Sequence, residues 1–326
     1  MVKINTIDDI LKNISKRHTS HAATFQYHAD QGAVLQPIKK LFGNYILEGA
    51  LTHFPARRGS GKSLLAMQIC IAITQEYDTF LGEKLEKHGN CIYLDFEMGE
   101  KIIERRAYLL KKNAPKYVRT KGDNLLILNS RKSFFDEFDN IIRLVYDKNP
   151  VLIVIDNLRN ALKGANLNSS SEMANFFAIL YGLKEMYNTS IVLIDHFKKN
   201  TNHSRSDSDL QSGSGVKTDL SDADFILRNS CQNKNLRIMK RIKSRLVEES
   251  DEAKLIRLNP ESLWFELVQE NINESEHLGL ADLQDKEELK DIIFDMHEKG
   301  STLEEIARAV QKGKSTIHRY LQERKP

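Results

Sequence analysis

The sequence predicts an α/β protein with a twisted, mainly parallel central sheet and a small all-α unit at its C-terminal end. Three observations lead to this fold class. A glycine-rich segment, residues 56–63, lies between an apolar strand pattern and an apolar helix pattern. Apolar runs typical of buried strands then alternate with helical patterns as far as residue 196. The segment 286–326 shows helical spacing alone.

Composition and pattern divide the 326 residues into four segments. We predict an N-terminal arm over 1–35, a large α/β domain over 36–270, an acidic linker over 271–285 and a helical domain over 286–326. The formal net charge of +3 is too small to indicate nucleic-acid binding by itself. A nucleic-acid partner therefore has to be argued from local clusters of charge.

The composition favours a reducing compartment. Three cysteines, an odd number placed far apart, indicate neither a disulfide framework nor a metal site. No apolar run has the length needed to span a bilayer, and the charged N-terminus does not resemble a signal peptide. We therefore expect a cytoplasmic protein without membrane contact.

The glycine-rich segment fits a phosphate-binding loop. Its glycines would let backbone N–H groups surround phosphates, Lys62 would reach the terminal ones, and Ser63 would supply an oxygen to Mg²⁺. The helix that begins there would direct its N-terminus at the anion. Ala56 replaces the first glycine of the pattern and adds one methyl group, which an allowed backbone dihedral accommodates. The residues expected to bind the nucleotide are Ala56, Arg57, Arg58, Gly59, Ser60, Gly61, Lys62, Ser63 and Leu64.

Two acidic residues follow apolar strand patterns downstream of this loop. Glu97 follows residues 90–96, and Asp156 ends the run 151–155. In open parallel sheets the chemistry lies at the carboxyl ends of the strands. Glu97 is therefore a candidate general base for an attacking water, and a solvated acid is the alternative. Asp156 is predicted to hold Mg²⁺ together with Ser63.

His196 ends another strand pattern, where a polar group could sense the γ-phosphate. A structural histidine is the alternative. The polar segment 198–217 is long enough to indicate a functional loop, and its cations suit contacts with the phosphates of nucleic acid. The DNA contacts expected in this segment are Lys198, Lys199, Arg205 and Lys217.

A basic run, residues 240–245, lies at the end of a later strand pattern. Such a run is usually a solvated face. Alternatively, its lysines and arginines would act as fingers that stabilise the transition state at the terminal phosphate of a neighbouring subunit.

The C-terminal helical segment has the layout of a helix-turn-helix. Residues 287–297 form one helical pattern, Ser301 and Glu304 carry a capping-box signature that opens a second, and residues 314–322 form a third. A generic helical cap is the alternative. The residues expected to contact duplex DNA are Lys314, Thr316 and Arg319.

Residues 36–268 together resemble the RecA-like hexameric ATPases of the RepA replicative helicase type. The loop 54–63 resembles their Ala-Pro-Arg-Gly-x-Gly-Lys-Thr, Glu97-Met98 resembles the segment with their catalytic glutamate, and Asp156-Asn157 resembles their Walker B strand end. Asp195-His196 is similar to the start of their His-His-x-x-Lys element, with aspartate in place of the first histidine. The family's Lys-x-Arg fingers act in trans; the segments that resemble them are Lys243-Ser244-Arg245 and, in a rival register, Lys240-Arg241.

The resemblance implies a RecA-like P-loop NTPase fold that uses ATP and Mg²⁺. It also implies a homo-oligomeric ring, a hexamer, that moves along single-stranded DNA as a helicase in plasmid- or phage-type replication. The C-terminal helix-turn-helix lies outside the resemblance and would bind duplex DNA. A helicase loader or a DNA-binding regulator that uses ATP as a switch without unwinding is the alternative.

Overall fold

The computed structural model describes residues 23–164, 169–196, 216–248, 252–278, 280–310 and 313–323. The chain divides into two compact units between Ile272 and Asn273. The first part of the predicted N-terminal arm lies outside the described residues. The predicted DNA contacts Lys198, Lys199 and Arg205 also lie outside them.

The first unit combines strands and helices in alternation. Its strands are β1 (Lys40–Phe42), β2 (Ile46–Leu47), β3 (Leu51–Ala56), β4 (Thr79–Phe80), β5 (Glu83–Lys84), β6 (Cys91–Asp95), β7 (Leu125–Asn129), β8 (Leu152–Asp156), β9 (Ser190–His196), β10 (Ala223–Asn229), β11 (Leu236–Ser244), β12 (Ala253–Leu258) and β13 (Phe265–Gln269). Its helices are α1 (Phe25–Ala33), α2 (Lys62–Thr74), α3 (Glu100–Lys112), α4 (Phe138–Lys148), α5 (Leu158–Ala161), α6 (Ser170–Tyr187) and α7 (Val216–Leu220). Within the described ranges, no helix is both long enough and apolar enough to cross a lipid bilayer.

Nine of these strands form one sheet in the order β13-β12-β11-β10-β3-β9-β8-β6-β7. Neighbours from β10 to β7 are parallel, whereas β10 to β13 pair antiparallel. The predicted α/β fold with a mainly parallel sheet is therefore confirmed. Helices lie on the crossovers, as parallel pairing requires. The carboxyl ends of β3, β9, β8 and β6 consequently lie side by side at one edge of the sheet.

Alternate side chains of the parallel strands enter separate cores on the two faces. On β6, Cys91 and Tyr93 pack into the core that contains α2, whereas Ile92 and Leu94 pack into the core that contains α4 and α6. Burial on both faces explains why these strands have continuous apolar sequences. Helix α2 is buried around nearly its whole surface, so its sequence has no solvent-facing polar stripe.

Gln68 joins helix α2 to the antiparallel part of the sheet. Its Nε2 donates to the carbonyl oxygen of Leu263 at 2.7 Å, and its Oε1 accepts from the backbone N–H of Phe265 at 2.8 Å. These two bonds satisfy a side-chain amide that is fully buried. They also hold the Phe265 ring beside Gly61, where the loop enters α2.

The second unit is helical. It contains α8 (Glu274–Leu278), α9 (Leu280–Glu298), α10 (Leu303–Ala309) and α11 (Lys314–Glu323). A small apolar cluster joins α9, α10 and α11; its buried members are Ile293, Ile306, Ile317 and Tyr320. The unit therefore has an apolar core of its own.

Two predictions for this part of the chain differ from the structure. The segment 271–285, predicted as a linker, contains α8 and the start of α9, because glutamate, alanine and leucine are good helix formers even where acids dominate. The capping box lies one residue later than predicted. Thr302 caps α10 with Glu305 as its partner, because the helix begins at Leu303.

Candidate active site

The loop between β3 and α2 adopts a left-handed backbone at two glycines. The φ angles are +74° at Gly59 and +94° at Gly61, values that other residues rarely adopt. A Cβ on Gly61 would lie 2.7 Å from the Phe265 ring, so a side chain there would also clash. Ala56 instead lies within β3, paired with His196 of β9. Alanine is tolerated at the first position of the loop because the chain is still an extended strand there.

A buried arginine supports this loop from β11, an antiparallel strand that lies two positions from β3 in the sheet. Arg237 on β11 donates its Nε–H to the carbonyl oxygen of Ser60 at 2.7 Å and is 5% exposed. Burial lowers the pKa of its guanidinium group. Arg237 therefore fixes the peptide that immediately precedes Gly61.

Opposite charges are buried together where α2 begins and β8 ends. Burial lowers the pKa of the Lys62 ammonium group, and the charges of Asp156 and Glu97 oppose that effect. Burial raises the pKa of the Asp156 carboxyl, and the hydroxyls of Ser63 and Tyr93 oppose that effect together with Lys62. Each charge therefore depends on the other to remain ionised in a buried setting.

Asp156 has the features of a metal ligand. The Tyr93 hydroxyl donates to its Oδ2 at 2.6 Å, whereas its buried Oδ1 has no hydrogen-bond partner among the described residues. Such an oxygen is costly to bury unless a ligand satisfies it. Ser63 lies beside this pair, with its carbonyl oxygen 3.4 Å from the Tyr93 hydroxyl. Carboxylate and hydroxyl oxygens suit Mg²⁺, so Ser63 and Asp156 fit a magnesium site.

Glu97 lies on a turn that Asp95 organises. Asp95 Oδ1 accepts from the backbone N–H groups of Glu97 and Met98, each at 3.0 Å. Asn129 on the neighbouring strand donates to Asp95 Oδ2 at 2.6 Å. Arg131 donates to the carbonyl oxygen of Glu97 at 2.8 Å. The backbone of Glu97 is therefore fixed, while its carboxylate lies at the carboxyl edge of the sheet.

Asn157 connects Glu97 to His196. Its Nδ2 donates to Glu97 Oε2 and lies 3.4 Å from His196 Nε2. Its Oδ1 accepts from the backbone N–H of Asn160 and caps α5. Burial lowers the pKa of His196, and the charge of Lys62 lowers it further, so the imidazole is neutral near pH 7. Three polar side chains from neighbouring strand ends thus form one continuous line.

Asp195 and Lys217 form a buried ion pair. Lys217 Nζ donates to Asp195 Oδ2 at 2.6 Å, and Lys217 is 2% exposed. His53 Nε2 lies 3.5 Å from the same oxygen. Burial raises the pKa of Asp195, but His53 and Lys217 outweigh burial and hold that pKa at about 2. The prediction that Lys217 contacts DNA is corrected, because its ammonium group is enclosed in the protein.

The predicted basic run lies largely inside β11. Arg241 is buried and donates to the carbonyl oxygen of Glu248. Lys243 Nζ donates to the carbonyl oxygen of Ser221 at 2.8 Å, and burial lowers the pKa of Lys243. Of the two candidate finger arginines, Arg245 is the exposed one.

Arg245 lies far from the phosphate-binding loop of its own chain. It follows Ser244, which pairs with Ala223, the first residue of β10. Ala223 in turn pairs with Thr52 near the amino end of β3. Arg245 therefore lies at the edge of the sheet opposite the one that carries Lys62.

Comparison with known protein families identifies the same region of the chain. Residues 16–202, more than half of the chain, match the family described as AAA domain. The chain belongs to this family. A comparison with characterised proteins finds no match. The AAA domain contains the phosphate-binding loop, Glu97, Asp156 and His196, which supports nucleotide binding and hydrolysis with a divalent metal. The matched residues end before Arg245 and the helical unit.

Sequence reasoning assigned no role to four residues of this site. Asn157 was recognisable in principle, because it directly follows the metal aspartate at a strand end. Tyr93 and Asp95 lie in an apolar run, and only its last acid, Glu97, was predicted to have a role. Arg237 offers no sequence signal, since a single arginine in a strand is usually solvent-exposed.

We predict that Asn157→Ser lowers kcat for ATP hydrolysis by about 100-fold while nucleotide affinity changes little. Serine still caps α5 but is too short to orient Glu97. Steady-state kinetics and binding of a fluorescent nucleotide would measure the two effects. The control is Asn140→Ala, which removes a 2.7 Å bond to Glu137 elsewhere on the fold. Unchanged kcat in Asn157→Ser would show that Asn157 only caps the helix.

Proposed function

We propose that this AAA domain protein is an Mg²⁺-ATP-hydrolysing DNA helicase or translocase that forms a homohexameric ring in plasmid- or phage-type replication. One observation carries the hydrolytic part: Lys62, Asp156, Glu97 and His196 converge at the carboxyl edge of the sheet. The ring is supported by the position of Arg245, which is exposed at the opposite edge.

Phosphate and metal binding follow from the buried charges. Lys62 and the backbone N–H groups of residues 59–63 hold the β- and γ-phosphates, and Ser63 and Asp156 hold the metal. Bound Mg²⁺ would neutralise negative charge on the phosphates. Lys62 is desolvated before the nucleotide arrives, which strengthens its attraction for phosphate.

Glu97 is positioned to orient the attacking water and accept its proton. Asn157 donates to one of its carboxylate oxygens, so the other oxygen is left for the water. His196 approaches the same asparagine from β9 and, being neutral, can exchange hydrogen bonds with the γ-phosphate or the water. A row of three side chains, Glu97, Asn157 and His196, thus extends across the ends of β6, β8 and β9, where the γ-phosphate would lie.

Arg245 is proposed to complete the site of a neighbouring copy. A guanidinium group there would stabilise charge that develops on the transferred phosphoryl group. Arg241 is unsuited to this role because it is buried. Arg245 also donates to its own chain, at the carbonyl oxygen of Asp219, but it is exposed. Lys243 is proposed to support Arg245 from within β11, since it is half-buried.

DNA contacts are proposed for two parts of the chain. Single-stranded DNA would be held in the ring channel by Lys198, Lys199 and Arg205. Duplex DNA would be bound by the helical unit as a helix-turn-helix. On α11, Lys314 and Arg319 are exposed while Ile317 faces the core, and Lys314 also pairs with Glu304 of α10. Thr316 is on the same helix and is partly exposed.

We predict that single-stranded DNA raises the ATPase rate of the wild-type protein several-fold and that Lys62→Ala abolishes hydrolysis with or without DNA. A phosphate-release assay measures both. The control is Lys299→Ala, which removes an exposed lysine of the helical unit. ATPase activity that is independent of DNA would favour the switch-type regulator or loader over the motor.

We predict that mixing Arg245→Ala and Lys62→Ala subunits restores ATPase activity that neither variant has alone. At some interfaces a phosphate-binding loop with Lys62 then faces a neighbouring subunit with Arg245. An arginine finger raises the hydrolysis rate by about 1,000-fold or more, so the recovery should be measurable. The control mixture uses Arg143→Ala, an exposed arginine on α4, which should be active by itself. No recovery in verified mixed rings would place the whole site within one chain.

We predict that deletion of residues 273–326 leaves basal ATPase activity intact and weakens binding to duplex DNA. Arg319→Ala should weaken binding in the same direction, and both effects should depend steeply on salt because phosphate contacts release counterions. Fluorescence anisotropy with labelled duplex measures this. Equal duplex affinity of the truncated and full-length proteins would make the helical unit a structural cap or a protein-docking surface.

A further inference from the structure

A buried charge network begins at Asp195, the residue before His196, on the face of the sheet that is covered by α6 and α7. The Asp195 carboxylate is its centre, because its two oxygens have different partners. Oδ1 accepts from the backbone N–H of His196 at 2.7 Å. Oδ2 accepts from Lys217 Nζ at 2.6 Å and lies 3.5 Å from His53 Nε2.

This network crosses three neighbouring strands. Asp195 is on β9, His53 is on β3 and Asp224 is on β10. Asp224 Oδ2 lies 4.0 Å from His53 Nδ1, and the Ser221 hydroxyl donates to the other oxygen of Asp224. Strand β3 continues from His53 directly into the phosphate-binding loop. The group therefore touches both the strand that carries the loop and the strand that carries His196.

All of these side chains are almost completely removed from solvent. Asp195 is 3% exposed and Lys217 2%, and His53 and Asp224 are fully buried. A buried ion pair adds little to stability compared with apolar side chains of similar size, so its presence calls for another explanation. What it supplies here is orientation, because Lys217 holds one oxygen of a carboxylate whose other oxygen accepts from the backbone N–H of His196.

We propose that the buried pair of Asp195 and Lys217 is a positioning device that fixes the backbone of His196 at the nucleotide site. This inference rests on the proposed ATP hydrolysis and assigns Lys217 a role at the site rather than on DNA. Lys217 orients Asp195, Asp195 Oδ1 holds the His196 N–H, and the imidazole is thereby kept opposite Asn157. Both side chains are enclosed in the protein, away from a bound nucleotide, so both would be positioning residues.

The central test is a double-mutant cycle between Lys217 and His196. Lys217→Met should lower kcat by about tenfold and leave nucleotide affinity within about twofold, because the phosphate-binding loop is intact. In the His196→Ala background the same substitution should cause no further loss of kcat. Equal fractional losses in both backgrounds would overturn the proposal, since Lys217 would then not act through His196.

A matched control separates positioning from stability. Lys254 is also buried and paired, with Nζ 2.5 Å from Glu83 Oε1 and 3.1 Å from Glu270 Oε1. Lys254→Met should lower the thermal unfolding midpoint as Lys217→Met does but keep the wild-type kcat. An equal loss of kcat in both variants would make the effect one of stability and overturn the proposal.

A further variant covers the case in which Lys217→Met fails to fold. In Asp195→Asn/Lys217→Met no uncompensated charge is left, so folding should recover. The kcat should stay about tenfold low, because nothing orients the amide that faces His196. Wild-type kcat in this variant would contradict the proposal. Lys62→Ala, measured alongside, distinguishes failure of this proposal from failure of the proposed ATPase site. If Lys62→Ala hydrolyses ATP normally, the proposed ATPase site is wrong as well.

Discussion

The site depends on the burial of one lysine among acids at the carboxyl edge of a parallel sheet. Lys62 begins α2 in a desolvated position, where an ammonium group is unfavourable without negative charge nearby. Asp156 and Glu97 supply that charge from the ends of β8 and β6. A bound nucleotide would add phosphate charge beside these acids, and a divalent cation at Ser63 and Asp156 would offset that charge.

Strand register determines which residues meet at this edge. Ala56 pairs with His196, so β3 and β9 end level, and Asp95 pairs with Asp156, so β6 and β8 end level. Because Ile155 pairs with Leu193, β3 and β9 extend two residues beyond β6 and β8. Strands β3, β6 and β8 then contribute residues beyond their last pairs, namely the loop, Glu97 and Asn157, whereas β9 contributes its last residue, His196. Pairing slipped by two residues would separate Glu97 from Asn157, because neighbouring residues along a strand are about 3.3 Å apart.

Much of this arrangement could be predicted from the sequence, because it is encoded locally. Glycine spacing specifies the loop backbone, and apolar runs that end in acids specify buried parallel strands with Asp156 and Glu97 at their ends. Contacts between distant segments could not be predicted. Arg237 supports Ser60 across 177 residues of sequence, and this contact follows only from β11 lying two strands away from β3.

Charge alone was a poor guide to the role of a residue. Lys217 and Arg241 have the sequence context of surface cations, yet both are buried and bonded within the chain. Arg245, four residues after Arg241, is exposed because it lies beyond the last pair of β11. Whether such a side chain is buried depends on its distance from the end of the strand and on the face of the sheet that it occupies. A run of basic residues reveals neither.

The most direct measurement of the central claim is single-turnover hydrolysis of ATP by Glu97→Gln beside equilibrium binding of Mg²⁺-ATP. The amide keeps the shape of the side chain but cannot accept a proton from water. The account predicts binding close to that of the wild type and a hydrolysis rate lower by about 100-fold or more. Hydrolysis at the wild-type rate would contradict the account, because the carboxyl edge would then not be the catalytic centre.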